Sequence, residues 1–354
     1  MQAEYEDLGI ISLADGQDSS SIRVLQITDL HIFPKDCPQF QNIPLRDSYA
    51  KCLELVGQLV WQVQPDVIIL TGDIMDGRGP WPSADSVTDA LEDLIPMFQG
   101  KPWAYIPGNH EDDDSPWTRQ DLLKLLKLKG CLQQQANGFH HTLLFTKKNS
   151  SVKVRLHLFD SGGNHPNKRY MYYCTPETSV KTFEQYALQK ANTEPDVTGL
   201  CYIHIPTPEY QGLDPVIGHN NLFEAALVGG KIPPPLDKLA CLIKLLKFHR
   251  IAGCTRGPDS GLFSALCRAN EFGTNVTAVF CGHDHHSDAV FYRQGIFLGY
   301  GRSGAMTPPY DWEGKAPNPL VPGARVVEVL SDGVARTWIH THLGAEAESF
   351  LDMV

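Results

Sequence analysis

Residues 22–28, IRVLQIT, are an apolar run rich in β-branched side chains, and residues 67–72, VIILTG, are a second. Between them Tyr49, Cys52, Leu53, Val56, Val60 and Val63 recur at helical spacing. Strand, helix, strand within about 50 residues is a βαβ unit, whose two strands lie parallel and whose crossover is right-handed. Neither run alternates apolar with polar, so both faces of these strands are buried. The composition also excludes a disordered or fibrous chain.

A helix over residues 83–98 and a short strand at 103–106 repeat the pattern. SPWTRQDLLKLLKLKG follows, with start chemistry at Ser115 and Pro116 and stop chemistry at Gly130, which predicts another helix. Further strands are expected at 140–146, 152–160, 199–205, 277–285, 289–300, 324–330 and 334–340. Parallel units come first and closely spaced hairpin-like strands last, which fits an α/β sandwich with two mixed sheets between helical layers. With 354 residues, 42% of them hydrophobic, the chain can bury one large core, and we read a single domain. The expected body is 22–345, with an N-terminal extension at 1–21, a C-terminal tail at 346–354 and an inserted amphipathic basic helix at 231–253.

Five short motifs sit where apolar runs end: ITDLH, IILTGD, YIPGNHE, LCYIHI and VFCGHDHH. In an extended backbone Asp29 and His31 point to one face, as do His283 and His285. Asp73 follows a glycine, where backbone can approach an ion closely and a carboxylate can bridge. Asn109 and His110 are adjacent and can serve different partners, and His204 closes another strand. Four of the motifs, taken singly, are more simply a turn, a cap or a satisfied core histidine, and in Gly-His-Asp-His the two readings balance. All five together, at the carboxyl ends of strands where α/β sheets build their sites, make a constellation. Imidazole, carboxylate and amide oxygen without thiolate suit Mn, Zn or Fe, with Mg a further option. Seven or eight ligands are too many for one ion, so two divalent ions sharing a carboxylate is the economical reading. Such a pair activates water for attack on phosphorus.

In order and spacing these motifs resemble the calcineurin-like metallophosphoesterases, over residues 24 to 285. LQITDLHIF, TGDIMDG, PWAYIPGNHEDD, LHLFDSGG, VFCGHDHHSD and GYGRSG are most similar to the purple-acid-phosphatase-like branch, which includes the dosage-dependent cell-cycle regulator phosphatases. The resemblance implies a four-layer α/β/β/α sandwich. It also implies that Asp29, His31, Asp73 and His285 hold one metal and Asp73, Asn109, His204 and His283 the other. His110 would contact the phosphoryl group or protonate the leaving group. True purple acid phosphatases carry a metal-binding Tyr three residues after the bridging Asp. Here Asp76 stands there, so a colourless protein with divalent ions is expected.

Two weaker substrate contacts are His286 and Arg302, the latter in GYGRSG. Glu111 and Asp112–Asp114 read as a solvated acidic turn. The expected activity is phosphomonoester hydrolysis, on a phosphoprotein or a small phosphate ester. Phosphodiester cleavage is the alternative, and a non-catalytic scaffold the rival from another class. A net charge of −11 opposes nucleic-acid binding. No transmembrane run and no basic-then-apolar leader appear, so a cytoplasmic chain is expected, with membrane-surface contact through 236–250 a minor alternative. Nine cysteines without CxxC pairs read as free thiols.

Overall fold

The structure is a computed structural model, and it describes residues 5–13, 20–40, 43–45, 47–166, 172–190, 196–211, 213–219, 258–306 and 320–354. The predicted segment 231–253 lies outside the described residues.

The βαβ unit is present as β2 (Ser21–Ile27), α1 (Ser48–Val63) and β5 (Val67–Thr71), after an N-terminal strand β1 (Glu6–Leu13) and a small hairpin of β3 (Gln39–Phe40) and β4 (Ile43–Pro44). Next come α2 (Ser86–Leu94) and β6 (Trp103–Ile106). β2, β5 and β6 are parallel neighbours. The first sheet is completed by β13 (Gly323–Leu330), β14 (Ala335–Thr341), β15 (Gly344–Ala345) and β16 (Leu351–Met353), all antiparallel to their partners. The second sheet runs β1, β7 (His141–Lys147), β8 (Lys153–Leu158), β9 (Thr198–Tyr202), β10 (Val276–Cys281), β12 (Ile296–Tyr300), β11 (Val290–Arg293). Its pairings are also mixed, antiparallel for β7–β8 and β11–β12 and parallel for the rest.

Each central strand divides its side chains between two cores, which is why the runs read as continuously apolar. In β5, Val67 and Ile69 face the second sheet while Ile68 and Leu70 pack under α1 and α2. In β9, Leu200 and Tyr202 meet the first sheet, and Cys201 packs with α3 (Glu177–Lys190) and α4 (Leu262–Glu271). Helices therefore cover both outer faces, giving the expected α/β/β/α order.

Both chain ends correct the expected boundaries. β1, within the supposed extension, pairs with β7 along six residues, and Tyr5 Oη meets His157 Nδ1 at 2.6 Å. β16 pairs with β14 within the supposed tail. Residues 121–127 form a 3-10 helix rather than the long helix that the Leu/Lys spacing predicts. The seven described cysteines are free thiols. Among the described residues no helix is long and apolar enough to cross a membrane.

Candidate metal centre

The loops after β2, β5 and β6 in one sheet and after β9 and β10 in the other converge, so all five motifs meet at one edge of the sandwich. Backbone bonds fix the junction. Asp29 N donates to Gly72 O, His31 N to Asp73 O and Gly282 N to His204 O, each at 2.9 to 3.0 Å. Asp29, His31, Asp73 and His283 all adopt left-handed φ, from 48° to 74°. Asp29 and His31 thus reach one cluster through a tight turn and not through extended backbone. Such conformations cost of order 1–3 kcal/mol each and persist where the surroundings impose them.

The glycines before the ligands answer to the same crowding. A Cβ on Gly108 would lie 2.2 Å from Asp73 Oδ1, and one on Gly282 would lie 2.0 Å from Thr28 Oγ1 and 2.8 Å from Asp29 Oδ2. No other residue fits there.

Two clusters result. Asp29, His31 and His285 bring ligand atoms within 4.8 Å of one another, and so do Asp73, His204 and His283. Asp73 Oδ2 lies between them, 3.2 Å from His204 Nε2 and 3.7 Å from His31 Nε2. Asn109 Oδ1 joins the second cluster, 3.2 Å from His204 Nε2. Outside it, Asn109 Nδ2 faces Asn164 Oδ1 at 3.5 Å.

The outer nitrogens set the tautomers. His204 Nδ1 donates to Thr71 O at 2.8 Å, and His31 Nδ1 to Asp76 Oδ2 at 3.0 Å. When the rings are neutral, both Nε2 lone pairs then face inward. His31 Nε2 and His285 Nε2 stand 2.9 Å apart, and His283 Nε2 is buried without any partner. Inward lone pairs, an orphaned buried imidazole nitrogen and a shared carboxylate are what divalent cations would satisfy, so these residues fit a two-ion centre.

Ionisation follows the same layout. Burial opposes the charge on Asp73, but the neighbouring imidazoles, His204 first, outweigh it and hold the carboxyl well below its usual range. The His204 imidazole is pushed up to about 9, with Asp73 outweighing burial. Burial, aided by the charge of His204, pushes His283 down to about 3.

His110 stands at the rim. Its N–H donates to Asp73 Oδ1 at 2.8 Å and its Nδ1 meets Asp113 Oδ2 at 3.0 Å. Burial would lower its pKa, but Asp73 and Asp113 raise it, which favours the charged ring.

Two expectations change. Arg302 does not face the centre. It is 1% exposed, and all five of its N–H donors are committed, to Asp288 Oδ2, to both oxygens of Glu346 and to Val321 O. His286, expected as a substrate contact and not as a ligand, lies outside both clusters, half-buried, with its Nδ1 unpartnered, and that expectation is unchanged. Glu111 is not solvated. It is fully buried and accepts three backbone N–H bonds, from Asp73, Ile74 and Gly108, at 2.6 to 2.8 Å. Burial and the charge of Asp73 push its pKa up to about 8 against those donors. It ties the Gly-Asp loop to the Gly-Asn-His loop. Asp76, read only as a missing Tyr, is buried and braces His31 while accepting from Arg78 Nε at 2.8 Å. Its place three residues after Asp73 was the available signal; for Glu111 it was adjacency to His110.

The family model described as calcineurin-like phosphoesterase matches residues 22–287. "Probable inactive purple acid phosphatase 29" of Arabidopsis thaliana is 25% identical over 80% of this chain and 72% of its own length. "Phosphatase DCR2" of Saccharomyces cerevisiae is 24% identical over 56% of this chain and 36% of its own length. Among solved structures, a dimetal phosphatase from Danio rerio superposes with a TM-score of 0.54 at 12% identity, covering 94% of this chain and 98% of that one. Motif order, sheet topology and these likenesses agree: the chain belongs to the calcineurin-like phosphoesterase family.

Proposed function

We propose that the chain is a phosphoric monoester hydrolase that works with two divalent metal ions. The observation that carries this is the Asp73 carboxylate, which belongs to one three-residue cluster and reaches His31 of the other, each cluster drawing its residues from both sheets. Asp29, His31, Asp73 and His285 would hold one ion, and Asp73, Asn109, His204 and His283 the other. When bound, such a pair supplies charge for a phosphoryl group and lowers the pKa of water between the ions.

The chain's own groups do the rest. His110, charged and held by Asp113, gives its proton to the departing alkoxide or neutralises a phosphoryl oxygen. Glu111 and Asp76 keep the ligand loops and His31 in place. The name of the Arabidopsis relative says inactive; that word belongs to that protein, and every ligand position of the motif set is filled in this chain. A phosphoprotein or a small phosphate ester is the proposed substrate.

Hydrolysis of p-nitrophenyl phosphate against bis-p-nitrophenyl phosphate, with Mn, Zn, Fe or Mg supplied, tests the reading. Monoester turnover is the expected outcome, and for an alkyl ester such as glycerol 2-phosphate, whose alkoxide needs a proton, it should fall about 10²–10⁴-fold in His110→Ala with metal content unchanged. Faster diester cleavage would replace the monoesterase reading with the diesterase one.

A further inference from the structure

A cavity of about 520 Å³ opens beside the candidate metal centre, and Asn109 belongs to both. Asp113, which holds His110, is also part of its wall, so the cavity adjoins the proposed proton donor.

The wall has an unusual balance of donors and acceptors. Its described residues include three carboxylates, Asp112, Asp113 and Asp160, against one guanidinium, Arg119. Arginine has five N–H donors, and here all five are spent. Nε and one Nη bond Asp160 at 2.8 and 2.5 Å, and the rest go to Asp112 and to the carbonyls of Gly108 and Pro107. Arg119 therefore organises the wall and has nothing left for a ligand anion. His140, 4% exposed, also lines the cavity, and its Nδ1 has no partner. A buried polar atom in this state is an invitation to a ligand hydrogen bond.

Resting on the phosphomonoesterase reading, we propose that this cavity takes the alcohol arm of the ester and selects arms that donate hydrogen bonds and carry no negative charge. Hydroxyl and ammonium groups share that chemistry. An anionic arm would face carboxylates with no free cation among the described wall residues.

Three monoesters of similar size test it on the metal-loaded full chain: phosphoethanolamine, glycerol 2-phosphate and 3-phosphoglycerate. The first two should exceed the third by about tenfold or more in kcat/KM. The lead of phosphoethanolamine over 3-phosphoglycerate should shrink in Asp112→Asn, which keeps an acceptor for Arg119. Gly163→Leu, which places a side chain against Asp112 and Arg119, should raise KM for glycerol 2-phosphate and leave metal stoichiometry at the wild-type value. Turnover of all three at equal rates, or preference for 3-phosphoglycerate, would overturn the proposal and leave the phosphatase reading standing. Failure to turn over any ester would remove the phosphatase reading itself, and this proposal with it.

Discussion

Asp76 and Arg302 show how single residues trade roles when burial is taken into account. Asp76 sits where a coloured relative has its metal-binding Tyr, and here its carboxylate orients His31 instead. Losing such a brace lowers metal affinity by about 10–100-fold. Asp76→Asn should therefore weaken binding at the first cluster by that factor in a calorimetric titration, and unchanged affinity would refute the role. Asp29, His31, Asp73, Asn109, His204, His283 and His285 were legible because their spacing and preceding glycines are local properties. Arg302 and Glu111 were not, because what buries them lies elsewhere. Arg302 meets Asp288 and Glu346, 14 and 44 residues away, and Glu111 meets Asp73 across 38. Nothing in a hexapeptide such as GYGRSG announces such partners.

The strand-end loop that carries His283 and His285 is tied down by a network among β11, β12, β13 and the chain end. Arg302 binds Asp288 and Glu346, while Arg325, also buried, donates to Asp288 O and, at 2.7 Å, to Tyr300 O. Removing the Arg302 charge leaves the Asp288 carboxylate, 1% exposed, with Oδ1 still held by His219 but Oδ2 without its guanidinium. Arg302→Met should cost roughly 3–5 kcal/mol in denaturant unfolding. A phosphate-binding role would instead raise KM at unchanged stability. The strands themselves were readable because both faces of β2, β5, β9 and β10 are apolar. β1 and β16 were missed for the opposite reason: they are edge pieces with exposed positions, such as Ile10 at 69%, and their pairing is set by distant neighbours. The 121–127 segment has helical periodicity but closes as a 3-10 helix, since its three buried leucines need only a short contact with the core around α2.

Across the whole molecule, two sheets press their carboxyl ends together and leave a pair of histidines deep in the second one. His141 and His157 are fully buried, and burial pushes both down to about 3. Unfolded histidine titrates near 6.5, so between these values the unfolded chain binds more protons than the folded one. Stability is full above about pH 6.5 and is lost progressively as pH falls toward 3. Urea unfolding at pH 7, 5.5 and 4.5 should show this slope, and His157→Gln should flatten it. Stability that stays level or rises on acidification in that window would contradict the burial argument. The same meeting of two sheets brings Asp73 between His31 and His204, and the central claim rests there. Metal analysis of the purified protein after loading with Mn or Zn addresses it most directly. Close to two ions per chain are expected for the wild type, with a clear loss in Asp73→Asn. A wild-type chain that holds one ion or none, or an Asp73→Asn chain that keeps both, would contradict it.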